Sequence, residues 1–196
     1  IMNSELIRKD FPILETKVND HPVVYFDNGA TTQRPLPVMR AVMNYVTRNN
    51  GNPHRGAHIF AMSASEAYDT SKTVVKDFIG AKSEKEIIYT RNTSESLNLV
   101  ARSYGETHLK EGDRIIIPVS EHHSNLVPWQ RAAKKTGAVL EYMYVDKETG
   151  CLPEGELKKI DDPRVKILAF AQVSNVLGLS IDARALIRRA HKHGAV

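Results

Sequence analysis

A single cysteine, Cys151, stands in 196 residues, so no internal disulfide can form and a disulfide-stapled scaffold is excluded; a reducing, cytoplasmic setting suits such a chain. No apolar run approaches the roughly 20 residues that a membrane-spanning helix needs. The N-terminal Ile1-Met2-Asn3-Ser4-Glu5 lacks the apolar core of a signal peptide, so no membrane partner is expected. Charge of one sign is scarce too. The formal net charge is +4, and basic residues alternate with acidic ones, as in Lys82-Ser83-Glu84-Lys85-Glu86. That pattern is a solvated surface, and no nucleic-acid partner is expected. There is no internal repeat, no low-complexity stretch, and no HExxH or paired-cysteine spacing to mark a metal site. What remains is an ordinary globular composition, 41% hydrophobic and 26% charged, in a chain long enough to bury a core.

The chain opens with a short helix over 4–9, capped by Ser4, and a strand-like run over 23–26 that empties into the polar turn Asp27-Asn28-Gly29-Ala30-Thr31-Thr32. Pro35 and Pro37 suit the first turn of a helix that Asn49-Asn50-Gly51-Asn52-Pro53 stops. After the loop His54-Arg55-Gly56-Ala57-His58, Ser63 and Glu66 form a capping box for a helix ending at Gly80. From there strands over 86–90, 114–119, 139–145 and 165–171 alternate with helices over 94–104, 124–135, 154–159 and 182–193. This rhythm predicts an α/β fold, a mostly parallel sheet wrapped by helices on both faces in a three-layer sandwich. Ala195-Val196 reads as the first step of a further strand, which predicts a truncated chain.

Three polar clusters end three of these strands. Arg91-Asn92-Thr93-Ser94-Glu95-Ser96 opens a helix, where free N–H groups and hydroxyls make an anion site; on local grounds alone, capping by Thr93 or Ser94 is the simpler reading. Glu121-His122-His123 offers imidazoles that could stack on a flat ring or move a proton, or else lie idle in solvent; a metal hydrolase built on these three residues is the remotest alternative. Gln172-Val173-Ser174-Asn175 carries an amide that could orient a ligand oxygen, or an ordinary turn. Clusters at the carboxyl ends of neighbouring strands can converge on one crevice. Together they suit a flat, phosphorylated aromatic ligand; pyridoxal phosphate fits that description, and so does a nucleotide.

Tyr25-Phe26-Asp27-Asn28-Gly29-Ala30-Thr31-Thr32, His54-Arg55-Gly56-Ala57-His58, Arg91 to Asn98, Glu121 to Trp129 and Val173 to Gly178, taken in order, resemble the cysteine desulfurases of the class V aminotransferase group, in the branch serving the Suf iron–sulfur assembly system. The resemblance runs through essentially the whole chain. It implies the large domain of a fold-type I pyridoxal phosphate enzyme, with 1–60 as an N-terminal segment carrying substrate-entrance loops and 61–196 as the first part of the cofactor-binding domain. It implies that His122 stacks on the cofactor ring and shuttles protons, and that Thr93 and Ser94 hold its phosphate. It also implies that Asn175 meets both the ring oxygen and the substrate carboxylate, and that Ala30 and His54 line the substrate entrance. Where the family has Gly-Thr-Thr-Glu-Gly, this chain has Asn92-Thr93-Ser94-Glu95-Ser96.

The implied activity converts L-cysteine to L-alanine and passes sulfur, as an enzyme persulfide, to an acceptor protein of the Suf system from a homodimer. The family's Schiff-base lysine, persulfide-forming cysteine and carboxylate-binding arginine correspond to positions beyond Val196, so the 196 residues alone are expected to be inactive. Cys151 is expected to be inert and partly buried. A selenocysteine lyase or other class V lyase, and a non-catalytic fragment acting by dimerisation, remain alternatives.

Overall fold

The computed structural model describes residues 3–196, which fall into one unit ending at Tyr89 and a second spanning Thr90–Val196. The first begins with α1 (Ser4–Arg8), whose cap is Asn3 and not Ser4: the Asn3 Oδ1 accepts from the Leu6 N–H at 3.1 Å. Strands β1 (Lys17–Val18) and β2 (His21–Pro22) form an antiparallel hairpin turned by Asn19 and Asp20, both at positive φ. The strand expected over 23–26 does not form. The last hairpin contact is the Val23 N–H donating to Thr16 O at 3.1 Å; beyond it no second strand flanks the run among the described residues, and Phe26 is left 93% exposed.

Helix α2 (Leu36–Asn44) has prolines in its first turn, as expected, and runs into a π-helical turn, Tyr45–Asn49. Helix α3 (Ile59–Ile79) starts five residues earlier than the Ser63 capping box predicts, because His58 takes the cap with its Nδ1 accepting from the Ala61 N–H at 3.4 Å. It closes at Gly80, where φ is +71° and glycine is favoured. Residues 86–90, expected as a strand, lie after the 3-10 turn Glu84–Glu86 with no strand beside them among the described residues.

The second unit has the expected β/α order. Helix α4 (Thr93–Val100) continues through a π-helical turn, Ala101–Gly105, into α5 (Glu106–His108). There follow β3 (Arg114–Pro118), a 3-10 turn His123–Asn125 and α6 (Val127–Thr136), then β4 (Val139–Met143). The rest comprises α7 (Glu154–Leu157), a 3-10 turn Lys158–Asp161, β5 (Val165–Leu168) and α8 (Ala183–Lys192). The three strands form a parallel sheet in the order β4-β3-β5. Val196 lies against β5 as the sequence suggests: its N–H donates to Lys166 O at 3.0 Å and its carbonyl accepts from the Leu168 N–H at 2.8 Å.

Strand β3 is apolar without alternation because both its faces are covered. Ile115 and Ile117 pack with Ala101, Trp129, Ala132 and Ala133 on one side. Ile116 packs with Ile160, Leu186 and Ala190 on the other. Helices therefore cover both faces of the sheet, giving the three-layer α/β arrangement. At its margin Asp161 accepts from Arg189 Nε and Nη2, both at 2.7 Å, while Asp162 pairs with Arg164 at 2.7 Å.

Ile116→Ala, at a site with 0% exposure, is expected to cost about 3 kcal/mol, read as a lower urea midpoint. Hydrogen bonds from Arg189 hold the Asp161 carboxyl below its ordinary value, and those from Arg164 hold Asp162 well below the usual carboxylate range. Carboxyls depressed in the folded state add stability above their unfolded pKa and lose it as pH falls through the folded one. The urea midpoint is thus expected to be flat near neutrality and to fall below about pH 4; a midpoint unchanged down to pH 2 would contradict it.

Candidate functional site

Strands β3 and β5 are neighbours whose following connections run to opposite sides of the sheet, β3 leading to β4 and β5 leading to Val196. In open α/β sheets the crevice outside the carboxyl ends of two such strands is where ligands bind. The residues leaving β3 are Glu121, His122 and His123, and those leaving β5 include Asn175.

His122 caps the turn His123–Asn125 and is exposed. Its Nδ1 accepts from the Ser124 N–H at 3.1 Å and lies 2.8 Å from Ser124 Oγ. A backbone N–H only donates, so Nδ1 carries no proton and the neutral ring is protonated on Nε2. The ring is thereby anchored by one edge in an exposed side chain. His123 is exposed, its ring 6.1 Å from that of His122 at 69°. Among the described residues no three His, Cys, Asp or Glu side chains gather as a metal site.

Helix α4 packs beside the turn His123–Asn125, which brings Thr93 and Ser94 to the same region as His122. The capping expected of Thr93 or Ser94 is instead performed by Asn92, whose Oδ1 accepts from the Glu95 N–H at 2.9 Å while its carbonyl accepts from the Ser96 N–H. The N–H groups and hydroxyls of Thr93 and Ser94 donate to nothing among the described residues and are exposed. Asn92 and Ser96 stand where the family has glycines, and each has a defined role: Asn92 is extended, with φ −169°, so no glycine is required, and Ser96 Oγ lies 2.6 Å from Thr90 Oγ1. Glu95 folds back to accept from the Arg91 N–H at 2.7 Å and from its guanidinium, which hold its carboxyl below the ordinary value.

Asn175 is exposed in a turn organised by its neighbour. Ser174 Oγ accepts from the Val176 and Leu177 N–H groups at 3.3 and 3.1 Å, and Val173 bridges Ser180. Thr93, Ser94 and His122 are thus brought together, with Asn175 following the adjacent strand. Ala30 and His54 belong to the first unit. Ala30 sits in a turn, its N–H donating to Asp27 O at 3.2 Å. His54 is held at φ +57°, its N–H donating to Ser65 Oγ at 2.8 Å and its Nε2 lying 3.4 Å from Asp69. Cys151 is exposed, not partly buried, because its turn is held from Asp146 and leaves the thiol outside.

The unspent donors at the start of α4 and the anchored imidazole stand at the switch point between parallel strands, the place where open α/β sheets bind ligands. Residues 24–196 match the aminotransferase class-V family, and the chain belongs to it. It is 45% identical over 189 residues to a probable cysteine desulfurase of Synechocystis sp., covering 96% of this chain and 45% of that protein. It is 43% identical over 195 residues to a probable cysteine desulfurase of Halalkalibacterium halodurans, covering 100% and 48%. The apo structure of cysteine desulfurase from Thermococcus onnurineus matches with a TM-score of 0.87 at 42% identity, over 100% of this chain and 46% of that one. For the cysteine desulfurase CsdA of Escherichia coli the TM-score is 0.82 at 34% identity, over 100% and 48%. The chain spans about half the length of the curated relatives it matches. Among the described residues no helix is long and apolar enough to cross a membrane.

Asn92→Ala is expected to lower the unfolding free energy by about 1 kcal/mol in urea titration, while Thr93→Ala leaves it within about 0.5 kcal/mol. Equal losses would return the cap to Thr93.

Proposed function

We infer that this chain supplies the cofactor-cradling part of a pyridoxal phosphate-dependent cysteine desulfurase of the Suf type, a cytoplasmic homodimer converting L-cysteine to L-alanine and handing sulfur to an acceptor protein. The observation that carries this reading is the start of α4, where Asn92 takes over capping and leaves the Thr93 and Ser94 donors unspent beside the His122 turn. A phosphate is the group such a donor set fits, because the helix dipole and the orphan N–H groups favour an anion at the same point.

In this reading Thr93 and Ser94 hold the phosphate through hydroxyl and backbone N–H. His122 covers a face of the ring, and its Nε2, the protonated nitrogen of the neutral side chain, is the atom that gives and retakes a proton. Asn175 lends its amide to the ring oxygen and the substrate carboxylate. Ala30 and His54 line the substrate entrance, with 1–60 forming that entrance and 61–196 the first part of the cofactor-binding domain. Bound pyridoxal phosphate supplies an electron sink for the substrate's bonds. Sulfur leaves cysteine for an enzyme thiol, where it is held as a persulfide, and the carbon skeleton leaves as alanine. The exposed Cys151 is not assigned that task, and the 196 residues alone are expected to release no alanine.

In the complete enzyme His122→Ala is expected to lower alanine formation roughly 10²- to 10⁴-fold, the range a positioned general acid–base contributes. An unchanged rate of alanine release from L-cysteine would remove His122 from the chemistry.

A further inference from the structure

Past the carboxyl ends of β3 and β5 runs a chain of hydrogen bonds with a fixed direction. Trp129 Nε1 donates to Asn125 Oδ1 at 3.0 Å. Asn125 Nδ2 donates to Glu121 Oε2 at 2.8 Å. Glu121 Oε1 accepts from the Ala171 backbone N–H at 2.7 Å. Asn125 and Trp129 are buried, with 8% and 3% exposure, and among the described residues no buried side-chain nitrogen or oxygen lacks a partner. The chain therefore runs from α6, across the turn that follows His122, to the segment leaving β5.

Both ends of this chain are groups that only donate, an indole N–H and a backbone N–H. The indole requires the oxygen of Asn125 to face it, so the Asn125 NH₂ must face residue 121. Residue 121 then receives donors from both sides, and only a carboxylate accepts on both oxygens. A glutamine there would place its own NH₂ against either Asn125 or the Ala171 N–H. Flipping Asn125 would only move the conflict to Trp129.

We propose that Glu121 is a positioning residue: its carboxylate ties together the ends of the two strands that flank the crevice, and through Asn125 it fixes the turn that sets the ring orientation and tautomer of His122. The link to His122 is short. The Asn125 N–H donates to His122 O at 2.8 Å, and the same turn presents the Ser124 N–H that holds Nδ1 unprotonated. The Glu121 charge is committed inward, to Asn125 and Ala171, and the metal-hydrolase alternative loses its carboxylate ligand for that reason. The proposal rests on the reading of His122 as the ring-facing acid–base group, and it adds what holds that ring in place.

The test is a swap of polarity, made on the full chain without added cofactor and read by thermal melting and by the ¹⁵N shifts of the His122 ring. Glu121→Gln leaves one buried donor unpaired and is expected to lower the Tm by about 5 °C. Its His122 nitrogens should move from a pure Nε2–H pattern towards a mixture of tautomers. Asn125→Asp sets two carboxylates against each other and should melt lower as well. The double variant Glu121→Gln, Asn125→Asp restores a donor facing an acceptor at every step, and its Tm is expected within about 2 °C of the parent with the original tautomer pattern.

A Glu121→Gln protein with unchanged Tm and ring shifts would overturn the proposal. So would a lowered Tm with His122 unmoved, which would make Glu121 a structural clamp only, and so would single-variant losses that simply add in the double variant. Should Glu121→Gln fail to fold, recovery of melting and tautomer pattern in the double variant decides the matter, because only the swapped polarity predicts it. No cofactor enters these measurements, so they stand apart from the desulfurase reading, which fails separately if His122→Ala releases alanine at the parent rate.

Discussion

The second unit depends on one strand being paired on both edges and covered on both faces. Ile115, Ile116 and Ile117 are fully buried in β3, with β4 and β5 as parallel neighbours and helices above and below. Burying three consecutive isoleucines is possible only if apolar side chains are supplied to each face in turn. Trp129 and Ala132 supply one, Ile160 and Leu186 the other. A strand so enclosed cannot carry polar groups along its length, so they accumulate where it ends. Glu121 and His122 lie just past Pro118, which is why these polar side chains gather at the carboxyl edge of the sheet.

Around that edge the polar side chains divide their tasks. Asn92 accepts from the Glu95 N–H, His122 Nδ1 from the Ser124 N–H and Glu121 from the Ala171 N–H beyond the neighbouring strand, and each satisfied donor frees or fixes a neighbour. Because Asn92 caps the helix, the Thr93 and Ser94 donors remain unspent among the described residues. Because the Ser124 N–H holds Nδ1, the His122 proton resides on Nε2. The chain that carries this arrangement belongs to the aminotransferase class-V family, beside the probable cysteine desulfurase of Synechocystis and the cysteine desulfurase of Thermococcus onnurineus. The hydrogen-bond polarity running from Trp129 to Ala171 is the feature that makes glutamate, and not its amide, the residue for position 121.

The first unit is organised differently. Among its described residues only Ala61, Ala64 and Ile87 are buried, and its form comes from local signals. His58 caps α3, Gly80 closes it, Asn19 and Asp20 turn the hairpin, and Ser65 holds His54 in a left-handed conformation that costs energy for a side chain with a Cβ. Such signals act over a few residues; the end of α3 at Gly80 was legible from them, while the His58 cap and the hairpin at Asn19 and Asp20 were not. The strands expected over 23–26 and 86–90 were not realised, because a strand needs a neighbour and no stretch of sequence announces its own.

Periodicity and punctuation by themselves determined the order of helices and strands in the second unit, the enclosed character of 114–118 and the position of three polar clusters at strand ends. These follow from short-range chemistry: side-chain spacing, capping residues, and glycine at helix ends. The motifs likewise carried the family. Tertiary structure alone decided where the Glu121 carboxylate points, and the folded backbone around each loop decided which residue caps α4 and which nitrogen of His122 bears the proton. Each of those depends on a partner brought in by folding: the Glu95 N–H through the turn of α4, the Ser124 N–H through the 3-10 turn, and the Ala171 N–H through the pairing of β5 with β3. A hydrogen bond has a direction and needs both of its ends in place, and residues as far apart as 121 and 171 meet only when the sheet has formed.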